Sequence, residues 1–293
     1  MRRSLLFIPG NSPAMLLNAD IHQADAIILD LEDAVSPSEK DAARLLVKGA
    51  IKTLKYRGTE IIVRVNPLDS AYLEDDLETI VPLKPSLIMP TKVSGPEYVE
   101  AVSKLIAAIE KENGMEENTV GLIPLLETAE GIENAYLIAK SDKRVKALFL
   151  GAEDLTSDLS AIRSKESKEI LYARGRIVMA ARAAGIDVYD TPFTDVNDDE
   201  GLFRDASFAR SLGFSGKASI SPRHVAAINE VFSPSFQDIA YSKEVMAIIE
   251  EAKKLGKGAI ALHGKMIDKP IVNRARRVLE AAKALGLIGG EHE

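Results

Sequence analysis

Eight short apolar runs punctuate the chain, and each is followed by a stretch with helical spacing. They are Leu5–Pro9, Ala26–Asp30, Ile61–Arg64, Leu87–Pro90, Val120–Glu127, Ala147–Asp154, Ile186–Asp190 and Ala218–Ser221. Strands that alternate with helices form a parallel sheet, and eight such units can close it on itself. The helix-like segments run Ser38–Tyr56, Leu73–Val81, Pro96–Asn113, Thr128–Ser141, Ser167–Gly185, Asp199–Leu212 and Pro222–Phe232. A shorter first helix begins near Ser12 and takes in Ile21–Gln23. Val99, Val102, Leu105, Ile106 and Ile109 illustrate the helical recurrence. An open, doubly wound sheet would typically have fewer strands, and the chain carries no G-x-G-x-x-G or Walker lysine loop. The fold class expected is α/β, a (β/α)8 TIM barrel over residues 1–232.

The rhythm changes after Phe232. Tyr241–Leu255 reads as an amphipathic helix through Val245, Ile248, Ile249, Ala252 and Leu255, broken by Gly256 and Gly258. A short apolar piece, Ala259–Leu262, leads into Gly264-Lys265-Met266-Ile267-Asp268-Lys269-Pro270. Pro270 suits the first turn of a helix, with Asp268 near its N-terminus. The final helix places Ile271, Ala275, Val278, Leu279, Ala282 and Leu285 on one side. Residues 233–293 are expected to form a C-terminal helical arm carrying a lid loop.

Composition removes several classes of function. Cysteine is absent, which excludes disulfides, thiolate chemistry and cysteine-ligated metal sites. A formal net charge of −7 argues against a general nucleic-acid binder. There is no apolar run of transmembrane length, and Pro9-Gly10 ends the first run too early for a signal-peptide core. A cytoplasmic location fits these features.

The C-terminal ends of barrel strands open onto the active-site face. Near those ends lie Asp30, Glu32, Asp33, Arg64, Lys92, Glu127 and Asp154. Glu127 closes a run apolar enough to be buried, where a carboxylate is costly unless paired or bound to a cation. Asp154 follows the next run. Two carboxylates on adjacent strand ends, without sulfur or imidazole, suit Mg²⁺ or Mn²⁺ held partly by water and substrate. The alternative is that each caps the helix after it. Arg64 needs an anion opposite it, either a substrate carboxylate or Asp30 or Glu32 within the protein. Asp30, Glu32 and Asp33 crowd three negative charges into four residues, a cluster that Lys92 or metal-bound water could balance. They read as groups supporting the metal site. His22, His224, His263 and His292 show no metal-binding spacing and read as surface or packing residues. Lys217 opens the eighth strand, at the wrong end for chemistry, and reads as structural.

Several stretches in this order resemble the citrate lyase beta-subunit family, within the HpcH/HpaI aldolase and malyl-CoA lyase superfamily. They are Arg3-Ser4-Leu5-Leu6-Phe7-Ile8-Pro9-Gly10, Asp30-Leu31-Glu32-Asp33-Ala34-Val35, Ile62-Val63-Arg64-Val65-Asn66, Leu148-Phe149-Leu150-Gly151-Ala152-Glu153-Asp154 and Gly264-Lys265-Met266-Ile267-Asp268. The resemblance implies a TIM barrel, Mg²⁺ at Glu127 and Asp154, a substrate-binding Arg64, and Asp268 in proton transfer at the acetyl carbon. It further implies retro-aldol cleavage of a citryl thioester, carried by acyl carrier protein or coenzyme A, to oxaloacetate and an acetyl thioester. Partners implied are citrate lyase alpha and gamma subunits and further copies of the chain in a homotrimer whose C-terminal segments cover neighbouring sites. A stand-alone citramalyl-CoA or malyl-CoA lyase, or a non-catalytic assembly subunit, are the competing readings. Where many relatives have histidine or asparagine before the proline of the eighth strand and glutamine soon after, this chain reads Ser219-Ile220-Ser221-Pro222-Arg223-His224.

Overall fold

The computed structural model describes residues 1–54, 56, 58–255 and 261–289. The glycine break at Gly256 and Gly258, part of the apolar piece after it, and His292 lie outside the described residues. Residues Arg2–Glu230 form one compact unit and the chain from Val231 onward forms another.

The first unit is a parallel barrel. Its strands are β1 (Ser4–Pro9), β2 (Ala26–Asp30), β3 (Glu60–Arg64), β4 (Leu87–Met89), β5 (Gly121–Leu122), β6 (Leu125–Leu126), β7 (Ala147–Leu150), β8 (Asp187–Asp190) and β9 (Gly216–Ser219). They pair in the order β5-β4-β3-β2-β1-β9-β8-β7-β6. The two ends of that order are one continuous piece of chain. Pro124 has no N–H to give the ladder and divides the fifth run into β5 and β6. The run nevertheless bonds to both neighbours. Ile123 and Leu125 N–H groups donate to Ile88 and Pro90 carbonyls at 3.0 Å. On the other side Leu122 N–H donates to Arg144 O at 2.7 Å and Gly151 N–H to Leu126 O at 3.0 Å. The sheet therefore closes as the expected eight-stranded barrel.

Helices α1 (Pro13–Leu17), α2 (Lys40–Thr53), α3 (Leu73–Ile80) and α4 (Pro96–Glu112) follow the first four strands. The stretch expected as one helix over Thr128–Ser141 is two, α5 (Ala129–Glu133) and α6 (Ala135–Ser141). Then come α7 (Ala152–Asp158), α8 (Leu171–Ala184), α9 (Asp199–Leu212) and α10 (Pro222–Phe232). Strand β7 stops at Leu150 and α7 starts at Ala152, so Asp154 sits in a helical first turn and not on a strand. Carboxylates are favoured there by the helix dipole.

Alternate strand residues fill the barrel interior, as a period of two requires. Leu5, Ile28, Ile62, Met89, Leu125 and Phe149 belong to this buried cluster, with Phe7 packed edge-on against Phe149. The intervening residues face the helices. One of them is Lys217, fully buried in β9. Its ammonium donates to Asp190 Oδ2 at 2.6 Å and Thr191 O at 2.7 Å, and pairs with Asp205 at 2.6 Å. Arg174 from α8 binds both carboxylates, at 2.8–2.9 Å. Two cations and two carboxylates thus neutralise one another behind the barrel wall. Burial is tolerable because each charge has a partner.

In the second unit α11 (Phe236–Leu255) begins five residues before the expected start. The expected lid loop is a two-stranded hairpin, β10 (Ala261–Leu262) against β11 (Lys265–Met266). Its turn residues His263 and Gly264 have φ of 49° and 74°, the left-handed pair such a tight hairpin demands. Val245, Leu262, Ile267 and Ala275 join α11, the hairpin and α12 (Lys269–Ala284) through one small core. Among the described residues no helix is long and apolar enough to cross a membrane.

Lys217→Met should destabilise the protein by about 3–5 kcal/mol, because Arg174 alone would face two buried carboxylates. Urea unfolding checks this.

Candidate active site

Extending the inward-facing series of each strand by one step gives the ring at the C-terminal rim. Ala26 and Ile28 lead to Asp30; Ile62 leads to Arg64; Ile123 and Leu125 lead to Glu127; Ala147 and Phe149 lead to Gly151. Tyr189 leads likewise to Thr191, and Ala218 to Ile220. All six line one cavity of about 430 Å³, with Phe7, Phe149 and Leu125 as its apolar floor and Asp33 and Asp154 on its wall.

Asp30 and Arg64 are register partners on β2 and β3. Asp30 accepts from Arg64 Nε at 2.7 Å and from an Nη at 2.5 Å. The other Nη faces Glu32 at 3.2 Å and Asp33 at 3.5 Å, and the guanidinium lies over the Phe7 ring at 5.1 Å. The planar fork expected to bind substrate is therefore already engaged by Asp30. Burial opposes the Arg64 charge, but the Asp30 hydrogen bonds and surrounding carboxylates outweigh it and raise its pKa. The loop after β2 is pinned by the buried Lys40, which donates to Leu31 O and Glu32 O at 2.8 and 2.6 Å.

Glu127 is 4% exposed, and burial pushes its carboxyl up to about 8. The backbone N–H of Lys92, donated to Glu127 Oε1 at 2.7 Å, works against that rise, whereas the Asp154 charge adds to it. Lys92 reaches this geometry with a left-handed φ of 55°. Burial likewise pushes Glu32 up to about 7, against the pull of Arg64. The Lys92 ammonium lies 3.6 Å from Glu32 and 3.9 Å from Asp154.

Glu127 and Asp154 do not serve as helix caps. Thr128 caps α5 by accepting from Gly131 N at 3.1 Å, and Gly151 holds the cap position of α7. Neither carboxylate is used up as a cap, although Glu127 Oε1 already accepts from Lys92 N–H. Among the described residues no group of three or more Asp, Glu or His could hold a metal ion. Two oxygen donors beside an open cavity fit Mg²⁺, which keeps several waters and takes further ligands from substrate. Space is kept for it by Gly151, where a Cβ would stand 2.7 Å from Glu127 Oε2. A buried carboxylate, oxygen donors only and a glycine cradle are together a fit to such an ion.

Several contributors escaped sequence reasoning. Phe7, Gly151, Thr191 and the Lys92 N–H carry no charge signal, although strand parity points to the first three. Thr191 Oγ1 accepts from Ala152 N at 3.2 Å, so it anchors the start of α7 and hence Asp154. Lys217 holds Thr191 through its carbonyl, a supporting role at one remove from the cavity. His224 is fully buried against Phe193, a packing residue, and His263 pairs with Glu244 at 2.8 Å. Asp268 belongs to the second unit. There it caps α12, accepting from Ile271 N at 3.1 Å.

The sequence model of the HpcH/HpaI aldolase/citrate lyase family matches residues 3–222. The citrate lyase subunit beta of Leuconostoc mesenteroides subsp. cremoris is 42% identical over 99% of this chain and 96% of its own. Human mitochondrial citramalyl-CoA lyase is 33% identical over 97% of this chain and 86% of its own. Among solved structures, CitE from Mycobacterium tuberculosis in complex with magnesium, acetoacetate and coenzyme A superposes with a TM-score of 0.79 at 28% identity. The match covers 96% of this chain and 98% of that one.

Gly151→Ala should weaken divalent-cation binding at least about tenfold, because its methyl displaces the Glu127 carboxylate. Calorimetric titration with MgCl₂ measures the loss, and circular dichroism checks that the barrel persists.

Proposed function

Because the chain belongs to the HpcH/HpaI aldolase/citrate lyase family, we propose that it is a carbon–carbon lyase cleaving a citryl thioester to oxaloacetate and an acetyl thioester. The observation that carries this reading is the rim itself. It sets two carboxylates that cap no helix beside a charged guanidinium, above an aromatic floor. The citrate lyase beta subunit at 42% identity and the magnesium and coenzyme A in the CitE complex support it.

Retro-aldol cleavage releases the proton of the tertiary hydroxyl to water and turns that carbon into the ketone of oxaloacetate. The carbon–carbon electron pair passes to the thioester as an enolate, which is then protonated. Glu127 and Asp154 would hold Mg²⁺, which when bound supplies Lewis acidity toward the hydroxyl. Arg64 orients the substrate's oxygens and balances charge that grows in the transition state. Asp30 fixes the guanidinium so that it does not reorganise during the reaction. Glu32, Asp33 and Lys92 set the charge around these groups. Asp268 hands a proton to the acetyl carbon, and takes it back in the reverse direction.

The acyl group arrives on acyl carrier protein or coenzyme A. The chain works in the cytoplasm as a homotrimer, with citrate lyase alpha and gamma subunits as partners for the carrier-protein form. The citramalyl-CoA lyase relative supports a second reading, a stand-alone citramalyl-CoA or malyl-CoA lyase. The intact Arg64, Glu127 and Asp154 argue against a non-catalytic assembly subunit.

A cleavage assay across citryl-CoA, citramalyl-CoA and malyl-CoA with Mg²⁺, before and after EDTA, separates these readings. Fastest turnover of citryl thioester, abolished by EDTA and restored by Mg²⁺, is the expected result. Preference for either other thioester supports the second reading, and undiminished activity in metal-free buffer removes the mechanism.

Mixing Asp268→Asn chains with Glu127→Gln chains, under conditions that exchange subunits, assigns the acid to a chain. Random mixing should rebuild intact sites in roughly a quarter of cases if barrel and Asp268 come from different copies. No recovery after demonstrated exchange would place Asp268 in its own chain's site or outside catalysis.

A further inference from the structure

Lys92 takes part in the rim twice, by two different groups. Its backbone N–H holds Glu127 at 2.7 Å, and its ammonium stands near Asp154 and Glu32. The ammonium's distances, 3.9 and 3.6 Å, are too long for hydrogen bonds. It is held by the summed field of the carboxylates alone. Arg64, the other cation on this rim, is locked by its bonds to Asp30. Lys92 is also 45% exposed in its side chain, so it can swing into solvent without losing a directional contact.

We propose that Lys92 is a resident counter-ion of the metal-free site, which a divalent cation must displace from Asp154 to bind. This inference rests on Glu127 and Asp154 as the metal ligands. An ammonium beside Asp154 occupies the carboxylate electrostatically and repels an arriving dication. The same ammonium stands between the Glu32 and Asp154 carboxylates and offsets their repulsion. Displacement moves the ammonium toward the Glu32 and Asp33 side of the rim, where it already has a partner. The backbone N–H does not move with it, so Glu127 keeps its donor. The residue thereby separates a fixed positioning function from a removable charge.

The test is titration of substrate-free protein with MgCl₂ by calorimetry, comparing wild type with Lys92→Met, Lys92→Asn and Lys92→Arg. Asparagine tolerates the left-handed backbone and guards against a merely conformational effect of methionine. Both neutral variants should bind Mg²⁺ about three- to tenfold more tightly, the scale of one partly exposed charge interaction. Lys92→Arg, which keeps the charge, should stay within about twofold of wild type. Equal or weaker binding by the neutral variants, or no measurable binding by any protein, overturns the proposal. Glu127→Gln runs alongside as the test of the premise. If it binds Mg²⁺ as wild type does, the metal-site reading fails, whatever the Lys92 variants show.

Discussion

The bond between Asp30 and Arg64 is what makes the rest of the rim arrangeable. An arginine at the end of a barrel strand is a buried charge, and its register partner Asp30 supplies the two hydrogen bonds that hold its fork. With the fork satisfied, the guanidinium lies flat over Phe7 and presents its remaining edge to Glu32 and Asp33. The loop after β2 then folds back on itself. Glu32 N–H donates to Asp30 Oδ1 at 2.9 Å, and Lys40 clamps the two carbonyls that follow the strand. A rim with more carboxylates than cations is in this way tied into the barrel wall. Asp30, Glu32, Asp33, Glu127 and Asp154 face Arg64 and Lys92, and burial makes the deficit felt at Glu127 and Glu32.

Much of this is written in the period-two pattern of the strands. The same alternation that puts Ile28, Ile62 and Leu125 into the core puts Asp30, Arg64 and Glu127 at its upper edge, so the charged members could be read directly. Gly151 and Thr191 occupy the equivalent places on β7 and β8 but carry no charge to attract notice. Asp154 lay in the right region for a different reason from the one expected. Its strand had ended four residues earlier, and the helix turn that holds it is fixed by Thr191, from a neighbouring strand. The Lys92 N–H was illegible because it depends on a left-handed backbone angle that nothing in Pro90-Thr91-Lys92-Val93 announces. Pro124 was visible, but its consequence, a strand in two pieces that still closes the barrel, required both neighbouring ladders.

The buried quartet behind β8 and β9 shows how a structural charge can matter to a site it does not enter. Lys217 is expensive to bury, and only replacing the whole quartet by hydrophobic residues would avoid that cost. What the lysine adds is direction. Its three contacts fix Asp190, Asp205 and the Thr191 carbonyl at once, and Thr191 in turn receives the first amide of α7. The placement of Asp154 is thus inherited from a rigid wall, which is how a strand–helix junction can present a carboxylate reproducibly.

Asp268 illustrates the opposite arrangement, in which the observed role of a candidate residue is the capping of its own helix. As the cap of α12 its Oδ1 satisfies an amide that would otherwise go unpaired, and the tight hairpin before it sets where the helix begins. A cap bond through one oxygen also restricts the rotation of the carboxylate. Proton transfer to carbon demands such restriction more than it demands strength of binding, because the acceptor offers no hydrogen-bonding lone pair with which to guide the approach. The proline at 270 and the apolar seam of α11 with α12 hold that cap rigid. The capping role of Asp268 is therefore compatible with the proton transfer proposed for it.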